Sequence, residues 1–246
     1  MDFLFINAKF DGKVELTKEA LNYCKKYKIL ALYSSIQFST QLDKILKQLE
    51  KEKITVITSQ PARTNGKYQI LGCDLSYENL KLEKKPDAFL YIGDGIFHPR
   101  ALVLAQKDES EFKEVITFDP ISKQLSSLGL KNVKKILKSY KGSLLKFLHS
   151  ENVGVLITLK PGQQQFNPSK LLKEKYPNKT FYYFVDNNID FSKAEDFPFI
   201  ESWINTACPR LGFDDAAHIS LPVLNLTDAL NLDKLLEKKS FFWVRK

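Results

Sequence analysis

Short runs of consecutive apolar residues lie along this chain, separated by segments whose apolar residues have helical spacing. Strands that are apolar throughout, instead of alternating with polar residues, are typical of parallel sheets covered by helices on both faces. The sequence therefore predicts an α/β fold with mainly parallel sheets flanked by helices. The runs that indicate strands are residues 3–6, 29–33, 54–57, 88–92, 114–118, 153–159 and 181–185.

Two α/β halves of about equal size follow from this pattern. The 246 residues, of which 43% are hydrophobic, are enough for two ordinary domains that each bury a core. Asp119 and Pro120 end one strand, and a long Lys-rich helical stretch leads to the next. We therefore expect two similar domains, residues 1–122 and 123–246. A last helix is predicted over residues 227–236, with Thr227 and Asp228 as its N-cap.

Composition limits where the protein works and what it binds. No apolar run reaches the roughly 20 residues that span a bilayer, and Asp2 interrupts a secretory leader. We therefore expect a soluble, cytoplasmic protein with no membrane contact. In a reducing compartment the three cysteines are expected to be thiols, metal ligands or core residues. The net charge of +8 favours acidic proteins or nucleic acid as partners, although most lysines fall on solvated helix faces.

Two of the cysteines lie in tight polar turns. Cys73 is in the turn Leu-Gly-Cys-Asp-Leu-Ser, after a run that indicates a strand, and Asp74 could cap a following helix. Helix amides would lower the pKa of the thiol and favour metal binding, and a buried, inert cysteine is the alternative. Cys208 precedes a proline, as cysteines beside iron–sulfur clusters often do, and Arg210 could face an anionic ligand. Cys24 lies on the apolar face of a helix and is interpreted as a core residue.

Two loops at strand ends could bind a ligand. Residues 93–99, Gly-Asp-Gly-Ile-Phe-His-Pro, follow a predicted strand but lack the spacing of the common nucleotide motifs. A turn capped by Asp94 is the alternative there, and His98 is either an acid–base group or structural. Residues 158–163, Thr-Leu-Lys-Pro-Gly-Gln, could bind a small anion or form a simple type II turn. The chain has no HExxH, Gly-x-Ser-x-Gly, Walker or CxxC motif, so hydrolase and kinase functions have no motif support.

Four short stretches occur in an order that resembles one known family. They are Tyr-Ser-Ser-Ile-Gln-Phe (33–38), Leu-Gly-Cys-Asp (71–74), Ile-Gly-Asp-Gly-Ile-Phe-His-Pro (92–99) and Thr-Ala-Cys-Pro-Arg-Leu (206–211). Together they resemble the diphthamide synthases, the 2-(3-amino-3-carboxypropyl)histidine synthases of archaea and eukaryotes. The resemblance extends over most of the chain, from the first predicted strand to the last predicted helix.

This resemblance implies both a fold and a chemistry. Family members have three similar α/β domains around a pseudo-threefold axis, and each domain gives one cysteine to a 4Fe-4S cluster whose fourth iron binds S-adenosylmethionine. By resemblance, Cys73 and Cys208 are the second and third cluster ligands. The implied reaction cleaves the Cγ–S bond of S-adenosylmethionine and adds a 3-amino-3-carboxypropyl radical to a histidine of elongation factor 2, with methylthioadenosine as by-product. The residues expected to line the site are Gln37, Asp94, His98, Lys160, Gln163 and Arg210.

The family's first domain, with its cysteine, has no counterpart in this sequence. Three explanations are open: a synthase encoded in two pieces, a subunit that binds a cluster poorly or not at all, and a truncated, inactive copy. We prefer the first because Cys73 and Cys208 keep their turns, and it implies a partner chain with the first domain and a dimer of such assemblies. Lys160 is a smaller departure, because the family tends to have an arginine there whose fork pairs better with a carboxylate. Competing functions are a non-catalytic accessory subunit and a basic α/β protein that binds nucleic acid.

Overall fold

Each half of the chain is organised around one sheet of mainly parallel strands. The structure is a computed structural model that describes residues 8–61, 64–160, 163–215 and 221–237. Within these ranges the chain forms two units, which divide between Val133 and Lys134. The predicted strand over residues 3–6 lies outside the described residues.

The first unit alternates strands and helices. In chain order its elements are α1 (Lys18–Cys24), β1 (Ile29–Ser34), α2 (Asp43–Lys51), β2 (Thr55–Ile57), β3 (Ala88–Ile92), α3 (Phe97–Ala105), β4 (Val115–Phe118), β5 (Leu125–Leu128) and the start of α4 (Leu130–His149). The strands form one sheet in the order β2-β1-β3-β4-β5. The first four are parallel, and β5 runs antiparallel to β4.

Burial on both faces explains the uninterrupted apolar strands of this unit. Every side chain of β3 is buried, and so is every side chain of β1 after Ile29. Leu30 of β1 belongs to a core cluster that also contains Ile45 and Leu49 of α2. Helix α1 begins where the Thr17 hydroxyl accepts a hydrogen bond from an N–H of the first turn. The amphipathic helices therefore cover the sheet as the sequence pattern requires.

The second unit repeats this arrangement from α4 onward. Its further elements are β6 (Asn152–Thr158), α5 (Phe166–Ser169), α6 (Leu171–Lys175), β7 (Thr180–Asp186), β8 (Ser202–Asn205), β9 (Val223–Asn225), α7 (Leu226–Leu230) and α8 (Leu232–Glu237). The strands are parallel and lie in the order β7-β6-β8-β9. In the first unit β2 is at the edge beside β1, and β3 and β4 lie on the other side of β1. In the second unit β7 is at the edge beside β6, and β8 and β9 lie on the other side of β6. The four parallel strands of each unit thus have the same order.

A glycine on β6 makes room for the largest core side chain of the second unit. Gly154 pairs with Trp203 of β8, and a Cβ on Gly154 would lie 2.4 Å from Cε3 of the Trp203 ring. The ring is 1% exposed and packs against Phe184, with 4.9 Å between the ring centroids. The missing side chain therefore lets the indole lie against the sheet.

The predicted α/β fold with mainly parallel sheets is confirmed. The strand predicted over residues 88–92 coincides with β3. The strand predicted before Cys73 is wrong, because that segment makes one isolated bridge, from Gln69 to Ser34. The predicted domain boundary near residue 122 precedes β5, which pairs with β4, so the first unit extends to Val133. The assignment of the units to the family's second and third domains stays a prediction.

The last predicted helix is two short helices, α7 and α8. Thr227 and Asp228 do not cap it, because the N-cap of α7 is Asn225, whose side chain makes no capping bond. Asp228 instead accepts a hydrogen bond from the Tyr140 hydroxyl. None of the helices in the described ranges has the length and apolar character that crossing a membrane requires.

Candidate functional site

The segment that carries Cys73 lies at the carboxyl end of β1. Ser34, the last residue of β1, donates its N–H to the Tyr68 carbonyl at 2.7 Å and accepts from the Ile70 N–H at 3.1 Å. Strands β1 and β3 are neighbours in the sheet. From β1 the chain continues to β2 on one side, and from β3 it continues to β4 on the other side, so the strand order reverses between β1 and β3. Ligands of open α/β sheets bind at such a switch point, beyond the carboxyl ends of the strands. The topology therefore brings the Cys73 turn to the edge where a ligand is expected.

Asp74 closes the Cys73 turn instead of capping a helix. Its carboxylate accepts the Leu71 N–H at 2.8 Å, and its own N–H donates to the Leu71 carbonyl at 3.1 Å. The Leu75 N–H donates to the Cys73 carbonyl at 3.0 Å. Asp74 is buried, whereas Cys73 is half-buried. The expected capping role of Asp74 is wrong, since the next helical element is a short 3₁₀ helix, Glu78–Leu80, and its N-cap is Tyr77.

The loop after β3 brings His98 and Asp94 to the same edge of the first sheet. The imidazole of His98 stacks on the Tyr91 ring, with 6.4 Å between centroids and 11° between planes. Phe97 meets His98 edge to face at 5.4 Å. Burial raises the pKa of the Tyr91 hydroxyl well above its usual range, so this group stays neutral at physiological pH. The Gly93 N–H, which donates to the Phe118 carbonyl, fixes the start of the loop.

Gln37 follows β1 at this edge. Its side-chain oxygen accepts from the Ser35 hydroxyl at 3.2 Å, and its carbonyl accepts from the Phe10 N–H at 3.0 Å. The first unit thus gathers Gln37, Asp94 and His98 at the edge that carries Cys73.

Cys208 follows β8, a central strand of the second sheet. Thr206, at the start of its turn, donates both its N–H and its hydroxyl to the Leu156 carbonyl on β6, at 3.2 and 2.8 Å. The Leu211 N–H donates to the Cys208 carbonyl at 3.0 Å, and Cys208 is half-buried. The switch point of the second sheet lies between β6 and β8. Both cysteine turns therefore lie at the switch point of their own sheet, Cys73 beside the first strand of its unit and Cys208 after the third strand of its unit.

Arg210 is buried against a carboxylate of its own turn. It is 3% exposed, and its Nε donates to Oδ2 of Asp214 at 2.6 Å. A second guanidinium nitrogen contacts the same oxygen. Part of the charge that the sequence suggested for an anionic ligand is therefore neutralised within the protein. A direct contact between Arg210 and a ligand stays a prediction.

Lys160 and Gln163 lie in the loop at the carboxyl end of β6. The Lys160 N–H donates to the Thr158 hydroxyl at 3.2 Å, and the Gln163 N–H donates to the Lys160 carbonyl at 3.1 Å. Lys160 is exposed and Gln163 is half-buried. Residues 161–162 of this loop lie outside the described residues. Lys160, Gln163 and Arg210 thus belong to the second unit, with Cys208, and their roles stay predictions.

Cys24 is a core residue, as the sequence indicated. It is 0% exposed at the end of α1, and burial raises the pKa of its thiol to about 12. Thiolates are the cluster ligands, so a protonated thiol in the core is not a candidate. The three cysteines form no disulfide.

The donor set fits part of a cluster site. A cubane cluster usually takes three or four cysteine ligands. Among the residues that the structure describes, no three His, Cys, Asp or Glu side chains are grouped closely enough to hold a metal ion. Cys73 and Cys208 are half-buried thiols in turns held by hydrogen bonds, which suits ligands. Each of them, within its own unit, has the partial exposure and the fixed backbone that a ligand needs.

Comparison with known proteins decides the family. The family model described as "Putative diphthamide synthesis protein" matches residues 1–239. This chain belongs to the diphthamide synthesis family. The resemblance seen in the four sequence stretches is therefore confirmed.

Named relatives in this family are longer than the chain. The 2-(3-amino-3-carboxypropyl)histidine synthase of Pyrococcus horikoshii is 28% identical over 232 residues, which are 93% of this chain and 64% of that protein. Subunit 1 of the synthase from Neurospora crassa is 26% identical over 235 residues, 93% of this chain and 49% of that protein. The chain thus spans about half to two thirds of the length of these relatives.

Solved structures of the family share the fold. Dph2 from Pyrococcus horikoshii aligns with a TM-score of 0.70 and 27% identity, covering 89% of this chain and 61% of that one. A crystal structure of Dph2 with a 4Fe-4S cluster aligns with a TM-score of 0.70, covering 91% of this chain and 64% of that one.

Sequence reasoning missed Tyr91 as a neighbour of the site. Residues alternate faces along a strand, and Tyr91 is the last aromatic of β3 before the Gly93 loop. Its buried hydroxyl is within 2.6 Å of where a Cβ on Gly93 would lie. A tyrosine one residue from the end of an otherwise apolar strand was the available signal.

Proposed function

We propose that this chain is part of a 2-(3-amino-3-carboxypropyl)histidine synthase and supplies two ligands, Cys73 and Cys208, to a 4Fe-4S cluster. The observation that carries the proposal is the comparable setting of these two cysteines. Each is half-buried and lies in a turn at the carboxyl end of a central parallel strand. Relatives with this name match most of the chain, and one member of the family is crystallised with a 4Fe-4S cluster.

The side chains around the two turns would hold S-adenosylmethionine. In the first unit Gln37, Asp94 and His98 supply an amide, a carboxylate and an imidazole beside Cys73. In the second unit Lys160 offers an exposed ammonium, a point charge that suits the methionine carboxylate. Gln163 and Arg210 complete the set of polar groups that we propose for the ligand.

When bound, the cluster would supply one electron for cleavage of the Cγ–S bond of S-adenosylmethionine, which would release methylthioadenosine and a 3-amino-3-carboxypropyl radical. The radical would add to a histidine of elongation factor 2, and loss of one electron and one ring proton from the adduct would complete the transfer. The relatives' names state the transferred group and the histidine. The radical route and elongation factor 2 as the carrier of that histidine belong to the proposal. The basic surface, with net charge +8, suits this protein partner in the cytoplasm.

A partner chain would supply the family's first domain and the third cysteine. Two half-buried thiols are fewer than a cubane needs, and Cys24 is in the core. The alignments cover 64% and 49% of the two relatives, so more than a third of each relative's length lies outside the aligned region. We propose that the working enzyme is a complex, with two such assemblies forming a dimer.

Anaerobic reconstitution with ferrous iron and sulfide tests the cluster ligands. The full chain is co-expressed with a family first domain, and bound iron and visible charge-transfer absorption are measured for wild type, Cys73→Ala, Cys208→Ala and the control Cys24→Ala. We expect the first two variants to lose the cluster and the control to keep it. A wild-type complex that takes up no iron and sulfide, or Cys73→Ala and Cys208→Ala variants with a full cluster, would falsify the proposal.

A transfer assay separates the enzyme from its alternative. The specific observation that favours a non-catalytic accessory subunit is that this chain has two half-buried turn cysteines and not three. The reduced complex is incubated with elongation factor 2 and S-adenosylmethionine. The mass of the elongation factor 2 peptide that contains the target histidine is then measured by mass spectrometry. The enzyme predicts a mass gain that Cys73→Ala and Cys208→Ala abolish. An accessory subunit predicts a mass gain that neither substitution affects.

A further inference from the structure

A buried polar cluster lies directly beneath the Cys208 turn. Its members come from the ends of two neighbouring strands, Asn205 of β8 and Asn225 of β9, which pair in register, and from Tyr140 of α4. Asn205 is 2% exposed, Asn225 is 5% exposed and Tyr140 is 2% exposed. Buried polar side chains persist where their hydrogen bonds are made, so the destinations of these bonds are informative.

The two asparagines hold the backbone of the cysteine turn. Asn205 donates from Nδ2 to the Cys208 carbonyl at 2.9 Å and accepts the Ala207 N–H at 3.1 Å. Asn225 donates from Nδ2 to the Pro209 carbonyl at 3.0 Å. The same Asn205 Nδ2 donates to Oδ1 of Asn225 at 2.8 Å, which joins the two amides. The carbonyls of Cys208 and Pro209 are thus both held by buried asparagine side chains.

Asn225 lies at the start of a helix, but its side chain bonds to the cysteine turn and not to the helix. Asn225 is the N-cap residue of α7, where an asparagine side chain normally accepts an N–H of the first helical turn. Here the side chain makes no capping bond and faces the cysteine turn. The helix start therefore gives up a favourable bond, and the turn gains one.

The remaining contacts keep Asn225 in this orientation. Its backbone N–H donates to the Tyr140 hydroxyl at 3.0 Å, and that hydroxyl donates to the Asp228 carboxylate. A Cβ on Gly212 would lie 2.4 Å from Oδ1 of Asn225, so the backbone after the turn is packed against the amide. Asn225 is thus restrained by α4, by β8 and by the turn itself.

We propose that Asn225, together with Asn205, is a positioning residue that presents the Cys208 thiol to iron. The inference rests on the proposed function for its consequence, but the restraint on the turn can be measured without a cluster. Hydrogen bonds around a metal ligand orient it, and removing them typically lowers metal affinity about 10- to 100-fold.

Alkylation of Cys208 tests the restraint itself. In a Cys73→Ala chain, Cys208 is the only turn thiol that remains, because Cys24 is buried. We compare its rate of reaction with iodoacetamide with and without Asn225→Ser. Serine is also a favoured N-cap residue but is too short to reach the Pro209 carbonyl, so the substitution spares the helix and removes the contact to the turn, together with the bond from Asn205. We expect a rate about 3- to 10-fold higher, the factor that corresponds to one lost hydrogen bond.

A matched control separates the turn from general stability. Gln106 is 0% exposed and its amide makes bonds of similar length to the Leu102 carbonyl and to both backbone groups of Lys113, in the first unit. Gln106→Ala should leave the Cys208 rate unchanged. If Asn225→Ser fails to fold by circular dichroism, Asn225→Asp is used instead, which keeps the size of the side chain but cannot donate to Pro209. An unchanged rate in the folded variant overturns the inference.

The cluster supplies the second measurement. In the reconstituted complex we expect Asn225→Ser to shift the electron paramagnetic resonance signal of the reduced cluster and to lower bound iron, while Gln106→Ala changes neither. A wild-type complex with no cluster would sink the proposed function and leave the alkylation result standing. A cluster signal that is identical in wild type and Asn225→Ser would overturn the positioning role.

Discussion

The ring of Phe97 occupies the space that a side chain on Gly72 would need. An ideal Cβ on Gly72 would lie 2.0 Å from Cε1 and 2.7 Å from Cζ of that ring. Phe97 is the first residue of α3, so the start of this helix packs against Gly72, the residue before Cys73. The same ring meets His98 edge to face. The absence of a side chain at position 72 thus links the cysteine turn to the histidine.

Gly72→Ala should therefore disturb the Cys73 turn. The Phe97 ring is 52% exposed and can turn aside, so we expect a loss of about 1 kcal/mol in the free energy of unfolding, the cost of an unfavourable rotamer, and a changed rate of Cys73 alkylation. Urea unfolding and thiol kinetics measure these. Gly142→Ala, on α4 with no atom within 4 Å of the new Cβ, is the control and should stabilise by about 0.5–1 kcal/mol.

A double variant identifies the cause of the Gly72→Ala effect. Removing the ring with Phe97→Ala makes room for the new methyl group, so the two substitutions together should cost less than the sum of their separate costs. Strictly additive costs would show that the Phe97 ring is not what the methyl group meets.

The sequence predicted the parallel strands from their apolar runs. Strand β3 was identifiable because its apolar run ends at a Gly-rich loop, and β7 was identifiable from its aromatic run although most of its side chains are not buried. Strand β5, Leu-Ser-Ser-Leu, was missed because an exposed antiparallel edge strand needs no apolar run. The strand expected before Cys73 is absent because Tyr68 has a φ of 69°, which interrupts extended backbone.

The candidate site was predictable in its cysteines but not in its supports. Gly and Pro beside Cys73 and Cys208 mark the turns in the sequence. Asn225 lies 17 positions after Cys208, and only the pairing of β8 with β9 brings it to the turn. Likewise, Thr227 and Asp228 have the residue types of an N-cap, but Tyr140 of α4 takes the Asp228 carboxylate. Such contacts depend on tertiary structure, which local patterns do not encode.

Cys24 should be protected from alkylation in the folded protein. Its thiol is fully buried, and its pKa is raised from 9.0 to about 12 by burial. At pH 8 we expect iodoacetamide to modify Cys73 and Cys208 and to reach Cys24 only in denaturant, which peptide mass spectrometry measures. Modification of Cys24 at the rate of the turn cysteines under native conditions would contradict its burial.

The same group links stability to alkaline pH. Because the folded pKa exceeds the unfolded one, the contribution of the neutral thiol is fully present below about pH 9 and is lost as the pH rises toward about 12. The difference in unfolding free energy between wild type and Cys24→Ala should therefore shrink over this range. Urea titrations at several pH values measure it, and a constant difference would refute the linkage.

Glu114 should make the first unit sensitive to acid. Burial raises its pKa, but hydrogen bonds from the Tyr27 and Tyr23 hydroxyls outweigh this, so the pKa is lowered from 4.5. Its stabilising contribution is then present above about pH 4.5 and is lost as the pH falls through the lower folded value. Glu114→Gln should be less stable than wild type at pH 7, with the difference in unfolding free energy narrowing as the pH falls below 4.5.

Two tyrosine variants check the source of the Glu114 effect. Tyr27→Phe and Tyr23→Phe each remove one donor to the carboxylate, at a cost of about 1 kcal/mol. Each should also reduce the acid sensitivity, because less of the charged form is stabilised. Profiles against pH that run parallel in wild type and Glu114→Gln would show that this carboxylate is not responsible.

The Arg210–Asp214 pair should stabilise the second unit, since its side chains are 4% and 17% exposed. Removing one partner of a buried pair typically costs about 3–5 kcal/mol because the other charge stays buried. We therefore expect Arg210→Ala to cost about 3 kcal/mol in urea unfolding. Arg210→Lys should retain only part of the pair, since an ammonium cannot make the forked contact.

Lys193→Ala, which breaks the exposed pair with Asp186, is the control and should cause no measurable change in unfolding free energy. The prediction is contradicted if Arg210→Ala is as stable as Lys193→Ala. If that variant also binds S-adenosylmethionine poorly, the guanidinium contributes to ligand binding and not to the stability of the fold.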